Sequence, residues 1–140
     1  MATSAVELIL PDVKLSEGFR ARPYRDTEGI LTIGYGCNLD DGWSEWLAEQ
    51  VCRAQLKEKE EEIRGRAWYV AADPVRQGVL LELAFNLGVP RLMGFRKMMA
   101  AVQLKDWATA AKELKDSLWY KQVGPTRGDR LIRRLRDGIM

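Results

Sequence analysis

The sequence has 140 residues, of which 46% are hydrophobic and 30% are charged, and these proportions are typical of a folded globular domain rather than a disordered chain. It contains no histidine, which excludes catalytic triads built on histidine. The net charge of +2 gives no reason to expect a nucleic-acid partner.

Two cysteines, Cys37 and Cys52, are too few for a disulfide framework, and no further ligands accompany them to make a zinc site. We therefore expect free thiols, which fits synthesis in a reducing cytoplasm. The N-terminal segment lacks a basic region, and Glu7 and Pro11 interrupt its apolar run. We expect neither a signal peptide nor a transmembrane anchor.

The first predicted elements are helical. Residues 4–10 are apolar and suit a helix, and Pro11 can open a short helix that runs to Glu17. Gly18 is a plausible C-terminal stop for that helix.

A β-hairpin is predicted over residues 20–33, because two segments that suit β-strands flank the turn sequence Asp26–Gly29. Gly34 and Gly36 then predict a bend or a close backbone approach. This hairpin is the only convincing β structure in the sequence.

A long helix is predicted to start near Ser44, with Glu45 in its first turn. Its first half has an apolar face, whereas residues 57–62 are nearly all charged. Such a helix either bridges two lobes through solvent or lies on the surface.

The sequence from Asp73-Pro74 to Gly88 predicts a core helix with strong start and stop signals. Its apolar stripe consists of Val75, Val79, Leu80, Leu83, Ala84 and Leu87.

Further helices are predicted over residues 95–104 and, after a cap at Asp106, over residues 107–119. Thr126 and Asp129 resemble a capping box for a last, arginine-rich helix. That helix has a solvated basic face, and its arginines either pair with acids or attract an anionic cell wall.

The predicted fold class is α+β, mostly α, with a small N-terminal β-hairpin lobe and a larger helical lobe joined by a long helix. We expect a single domain over residues 1–140. Its parts are a hairpin lobe at about 18–42, a connecting helix at about 44–64, and a helical lobe at about 66–140 with the N-terminal helix packed on it.

Three side chains in the first 32 residues suggest chemistry: Glu17 at a helix end, Asp26 at a turn and Thr32 in a strand. Two carboxylates facing across a cleft are what glycoside hydrolysis needs, one protonated to assist the leaving oxygen and one ionised. Taken singly, Glu17 is more simply a surface residue or a helix-end charge, Asp26 a turn residue, and Thr32 an ordinary strand residue.

The combination of motifs resembles the phage-type lysozymes, the muramidase family that includes bacteriophage endolysins. The matching motifs are E-G at Glu17, Y-x-D-T-E-G from Tyr24 to Gly29, and T-I-G-x-G from Thr32 to Gly36. Similar features continue along most of the chain, in Phe85–Gly88, Gly94-Phe95, Trp107, Ala110-Ala111, Trp119-Tyr120 and the R-x-x-R of Arg127 and Arg130.

The resemblance implies hydrolysis of the β-1,4 bond between N-acetylmuramic acid and N-acetylglucosamine in bacterial peptidoglycan, with inversion. Glu17 would be the general acid, Asp26 the second carboxylate, and Thr32 would help to hold the attacking water. Phe85 and Asn86 match the substrate-contacting pair of the helical lobe. No metal or organic cofactor is implied.

Arg127 stands where the family has an arginine that pairs with the catalytic glutamate, so the resemblance gives it a supporting role. Other positions depart from the family pattern. Met98 and Glu113 replace a serine and an asparagine that would contact substrate, Asn38 replaces a leucine, and Cys37 replaces a histidine. These departures concern substrate preference rather than the catalytic trio.

Two rival functions stay open. A lytic transglycosylase would cleave the same bond without water and would need no second carboxylate, and a non-catalytic module would only bind peptidoglycan. The resemblance also implies a monomer without stable membrane insertion. It further implies an endolysin that stays in the host cytoplasm until it is released to the cell wall.

Overall fold

A computed structural model describes residues 2–140 and divides the chain into two compact units, Met1–Val51 and Cys52–Met140. The first unit contains one helix and a three-stranded antiparallel sheet, and the second contains helices, with the boundary inside a long helix. This architecture confirms the predicted α+β, mostly α class. The expected packing of the N-terminal helix on the helical lobe concerns both units and stays a prediction.

Helix α1, Ala5–Glu17, is continuous and contains Pro11. The predicted helix start at Pro11 is wrong, because the hydroxyl of Ser4 caps the helix by accepting the Glu7 N–H at 3.3 Å. Proline removes one backbone hydrogen bond inside a helix, and here it does not end the helix. The predicted end at Glu17 is confirmed, and Gly18 follows with a φ of +71°.

The sheet contains β1 (Arg20–Arg25), β2 (Leu31–Gly34) and β3 (Cys37–Asn38) in the order β1-β2-β3. The predicted hairpin is confirmed, with Arg25 opposite Leu31. The register shifts between Arg20 and Tyr24, where Pro23 lacks the N–H that a regular ladder needs. The two-residue strand β3 was not predicted, since it is too short to show an alternating pattern.

Helix α2, Glu45–Ile63, begins where predicted. The hydroxyl of Ser44 accepts the Leu47 N–H at 3.1 Å, which is the expected N-cap hydrogen bond. In its charged second half, Lys59 and Glu62 form an ion pair at 2.8 Å.

The second unit continues with seven helices. They are α3 (Ala67–Val70), α4 (Pro74–Leu87), α5 (Val89–Met93), α6 (Arg96–Gln103), α7 (Trp107–Lys115), α8 (Leu118–Val123) and α9 (Pro125–Asp137). Their buried side chains form one core. The largest with almost no solvent exposure are Ile63, Val79, Leu80, Leu83, Leu92, Met98, Val102, Leu114, Leu131 and Leu135.

The start of α4 at Asp73 and its stop at Gly88 are confirmed, and four of the six predicted stripe residues are buried. The predicted continuous helix over 107–119 is wrong. Helix α7 ends at Lys115, and the hydroxyl of Ser117 starts α8 by accepting the Tyr120 N–H at 3.2 Å.

The predicted capping box at Thr126 and Asp129 is also wrong. Helix α9 has no side-chain cap, and its N-cap position is Gly124. The Asp129 carboxylate instead accepts hydrogen bonds from Lys115 at 2.9 Å and from the Tyr120 hydroxyl at 2.8 Å. Hydrogen bonds from α7 and α8 therefore occupy the carboxylate that the local sequence pattern assigned to the cap.

The guanidinium of Arg76 on α4 holds the C-terminal end of α9. It donates to the backbone carbonyls of Leu135 and Arg136, each at 2.7 Å, and to the Asp73 carboxylate at 2.8 Å. It also lies 4.6 Å from the ring centroid of Trp107 on α7. Burial favours the neutral form of Asp73, but hydrogen bonds from Arg76 outweigh it and lower the pKa of this carboxyl.

Replacing Arg76 with methionine should lower the free energy of unfolding by about 2–4 kcal/mol, because two helix-end carbonyls and a partly buried carboxylate lose their donor. Urea denaturation followed by tryptophan fluorescence measures this change. Arg136→Met is the matched control, since its ion pair with Asp137 is exposed to solvent and should change stability far less. Equal losses in the two variants would contradict the clamp.

A second polar contact joins α2 to α3. The hydroxyl of Tyr69 donates to the Glu60 carboxylate at 2.7 Å, and the Tyr69 side chain is buried. Burial, followed by the hydrogen bond and the charge of Glu60, raises the pKa of Tyr69 to about 12.

This raised pKa predicts alkaline destabilisation. Because the folded pKa lies above the unfolded value of 10, the contribution is fully present below pH 10 and is lost as the pH rises towards 12. A shift of this size corresponds to at most about 2–3 kcal/mol. The free energy of unfolding measured from pH 8 to 12 should therefore fall less steeply in Tyr69→Phe than in the wild type. Parallel curves would refute the assignment, since all other titrating groups are shared.

Candidate active site

The carboxyl group of Glu17 lies against the backbone of Gly36. Glu17 ends α1, and Gly36 lies in the turn between β2 and β3. A methyl group on Gly36 would place its carbon 2.5 Å from Glu17 Oε2, which is closer than non-bonded atoms can approach. Gly36 also has a φ of +73°, a conformation that favours glycine. Both the backbone and the carboxyl therefore require glycine at this position.

Asp26 organises the hairpin turn with one of its two carboxylate oxygens. Its Oδ1 atom accepts the backbone N–H groups of Glu28 and Ile30, each at 2.9 Å. Within residues 2–140, its Oδ2 atom has no hydrogen-bond partner, so this oxygen is available to a water molecule.

Thr32 is the only buried residue among residues 2–51, with 5% of its surface exposed. Its hydroxyl donates to the backbone carbonyl of Ile30 at 2.9 Å. Because the single hydroxyl hydrogen is used in this way, the oxygen can only accept a hydrogen bond from any third group.

Ile30 connects these two candidates. Its N–H bonds to Asp26 and its carbonyl bonds to Thr32, so a single residue holds both side chains. Asp26 and Thr32 therefore share Ile30 as a hydrogen-bonding partner, and the carboxyl group of Glu17 lies against Gly36, in the turn that follows strand β2.

Two aromatic rings that were not predicted lie next to these groups in the sequence. Phe19 and Tyr35 are exposed, and their ring centroids are 5.6 Å apart. The ammonium group of Lys14 lies 5.3 Å from the Tyr35 ring centroid. Exposed aromatic faces suit the apolar face of a sugar ring. The only sequence signal for this pair was its adjacency to Gly18 and Gly36.

In the second unit, Phe85 is 40% exposed, so it is not a core residue. Phe85 and Arg127 line the same cavity, of about 350 Å³. Arg127 pairs with Glu82 at 3.4 Å, and Arg130 pairs with the same oxygen at 2.9 Å. The predicted pairing of Arg127 with the catalytic glutamate concerns both units and stays a prediction.

Asn86 serves the core of the second unit. Its side-chain oxygen accepts the indole N–H of Trp119 at 3.0 Å, and Trp119 is buried. The amide nitrogen of Asn86 remains a potential donor to a ligand, because an amide has two independent hydrogen-bonding ends.

The positions that depart from the family pattern lie in two places, a cavity of the second unit and the sheet of the first. Met98 is buried and Glu113 half-buried, and both line a cavity of about 350 Å³ with Phe95. In the sheet, Asn38 lies opposite Thr32, and its side-chain oxygen accepts the Asp41 N–H at 3.2 Å.

Within residues 2–140, no group of three or more Asp, Glu, Cys or His side chains is arranged to hold a metal ion. In the same part of the chain, no helix combines the length and the hydropathy needed to cross a bilayer.

The comparisons with known proteins agree with the sequence motifs. The model of the phage lysozyme family matches residues 14–137. Probable T4-type lysozymes 1 and 2 of Dictyostelium discoideum are each 26% identical to this chain, over 91% of its length and 93% of theirs. The pre-baseplate central spike protein Gp5 of Enterobacteria phage T4 is 27% identical, over 79% of this chain and 24% of that protein.

The family match includes the hairpin motifs and the helices of the second unit, and it confirms the resemblance inferred from the sequence. It supports a lysozyme-like glycosidase function directed at peptidoglycan. The chain belongs to the phage lysozyme family.

Proposed function

We propose that this protein is a muramidase that hydrolyses the β-1,4 bond between N-acetylmuramic acid and N-acetylglucosamine in bacterial peptidoglycan. The observation that carries the proposal is the arrangement of the first unit. One carboxyl group lies against Gly36, and in the hairpin that precedes this turn a second carboxylate and a buried hydroxyl bond to the same residue, Ile30. Family membership supports the same chemistry.

In this proposal Glu17 donates its proton to the glycosidic oxygen as the bond breaks. A water molecule donates one hydrogen to Asp26 Oδ2 and the other to the Thr32 hydroxyl oxygen. Asp26 then takes a proton as the water oxygen bonds to the anomeric carbon from the opposite face. Inversion follows, with one proton lost by Glu17 and one gained by Asp26.

Two residues of the second unit are proposed to bind the sugar chain. The exposed ring of Phe85 offers an apolar face, and the free amide hydrogens of Asn86 suit an N-acetyl carbonyl. Because Trp119 occupies the Asn86 oxygen, the amide has one orientation and presents its donor end.

The biological role that we propose is that of a phage endolysin. The protein would act as a monomer, remain in the host cytoplasm after synthesis, and reach the cell wall once the membrane is breached. Fractionation of expressing cells with and without a membrane-permeabilising protein tests this route. Lysis without that second protein would contradict it.

The central test compares Glu17→Gln with the wild type in a peptidoglycan turbidity assay. Glutamine keeps the shape but cannot supply a proton, so the rate should fall by at least about 100-fold. The control is Glu7→Gln on the same helix, which should retain full activity. Equal rates in the two variants would exclude Glu17 as the acid.

Product analysis then separates the possible reactions. Hydrolysis with inversion predicts reducing ends that are initially in the α form, visible by proton NMR. Anhydro-muramic ends would identify a lytic transglycosylase instead. Wild-type binding to peptidoglycan without any cleavage would identify a binding module.

The contact between Gly36 and Glu17 gives a further prediction. Gly36→Ala and Gly42→Ala both put alanine at a φ just above +70°, so each should lose roughly 1–2 kcal/mol of stability. Only at Gly36 does the added carbon meet Glu17, since no atom lies within 4 Å of a methyl group at Gly42. Activity per folded molecule should therefore fall in Gly36→Ala alone. Equal activities in the two variants would show that the contact is dispensable.

A further inference from the structure

A groove lies between α7 and α9, and none of the residues proposed for catalysis lines it. We call it the α7–α9 groove, and its volume is about 740 Å³. It is lined by Ala108, Ala111, Lys112, Lys115, Thr126, Asp129, Arg130, Ile132, Arg133 and Arg136. The floor contains small or apolar side chains, and the walls carry five cations and one carboxylate.

Positive charge is concentrated in this groove, because its lining carries five cations and one carboxylate while the net charge of the whole chain is only +2. Four of the cations form ion pairs, of which only the Lys115 pair has its carboxylate, Asp129, among the lining residues. The side chains of these four cations are between 43% and 72% exposed. Exposed pairs of this kind stabilise a fold very little, so an incoming anion can compete for the cations.

Arg133 lies in the middle of the basic wall. Among residues 2–140, no ion pair joins it to a carboxylate, although its charge acts on Asp137, the partner of Arg136. Arg130, Arg133 and Arg136 follow each other at three-residue intervals, which places them along one side of α9 about 4.5 Å apart in axial rise.

The N-terminal end of α9 adds to the same potential. Thr126 lies in the first turn of this helix and lines the groove, and no side chain caps the turn. Unpaired first-turn N–H groups attract anions. Cations from α7 and α9 and the N-terminal end of α9 therefore all contribute positive potential to the α7–α9 groove.

We propose that the α7–α9 groove binds a linear polymer of phosphate groups. Guanidinium groups match phosphate oxygens in geometry and remain charged at every relevant pH. A series of cations along a groove fits a repeating anion better than a single one. A phosphate polymer bound there would hold the protein near a phosphate-bearing envelope without using the groups proposed for catalysis.

The probe is fluorescently labelled inorganic polyphosphate, and binding is followed by fluorescence anisotropy at several salt concentrations. The double variant Lys112→Gln/Arg133→Gln removes one cation from each wall. Its affinity should fall about tenfold or more, and the slope of log affinity against log salt should decrease by roughly 1–2. Circular dichroism checks that the variant is folded.

The control is Lys57→Gln/Lys121→Gln, which removes the same charge from exposed positions outside the groove. It should bind within about twofold of the wild type, because screening limits distant charges to a small effect. If both double variants lost the same affinity, the effect would be one of net charge and the proposal would be overturned. A wild-type protein that does not bind polyphosphate would also overturn it.

Two competing ligands complete the test. Poly-glutamate should compete poorly, since the proposal requires phosphate rather than carboxylate. Duplex DNA that binds more tightly than polyphosphate through the same two cations would assign the groove to nucleic acid and refute the proposal. These measurements do not depend on peptidoglycan cleavage, so they stand apart from the proposed enzymatic activity.

Discussion

The guanidinium group of Arg76 joins three helices of the second unit. It binds the last carbonyls of α9, pairs with the N-cap residue Asp73 of α4, and stacks over Trp107 of α7. Gly138 leaves room for it, because a methyl group there would lie 2.7 Å from an Arg76 nitrogen. One side chain thus satisfies two carbonyls at the C-terminus of α9 and holds the carboxylate that caps the N-terminus of α4. The direction of α9, and with it the basic wall of the α7–α9 groove, depends on this contact.

Those parts of the fold that depend on interactions between residues close together in the sequence could be predicted. The boundaries of α4 at Asp73 and Gly88 follow from a capping side chain, a proline and a glycine, all of which act within a few residues. The predicted capping box failed because a distant partner competed for a local signal. Asp129 has the spacing of a capping residue for Thr126, yet Lys115 and Tyr120 take its carboxylate. The sequence contains no sign of that competition, because it exists only after α7, α8 and α9 have packed.

The same division applies to the candidate site. Asp26 and Thr32 were identified because both belong to the family motif, whereas their hydrogen bonds to Ile30 became apparent only in the structure. The contact between Glu17 and Gly36 spans a helix end and a later turn. The family motifs include both residues, but only the structure shows that the Glu17 carboxyl lies against the backbone of Gly36. The pairing of Arg127 with Glu82 could not be predicted at all, because no local rule relates a helix side chain to another 45 residues away.

The turn at Asp26 has an evolutionary consequence. One oxygen of this carboxylate closes the hairpin through two backbone N–H groups, and the other is free for water. Natural selection for a folded hairpin therefore preserves the aspartate even in a lineage that has abandoned catalysis. Retention of this residue in a distant homologue is poor evidence that the homologue still degrades cell walls. Under the proposed mechanism, the loss of Glu17 is the more informative sign of an inactive descendant, because its carboxyl group does not close the hairpin turn.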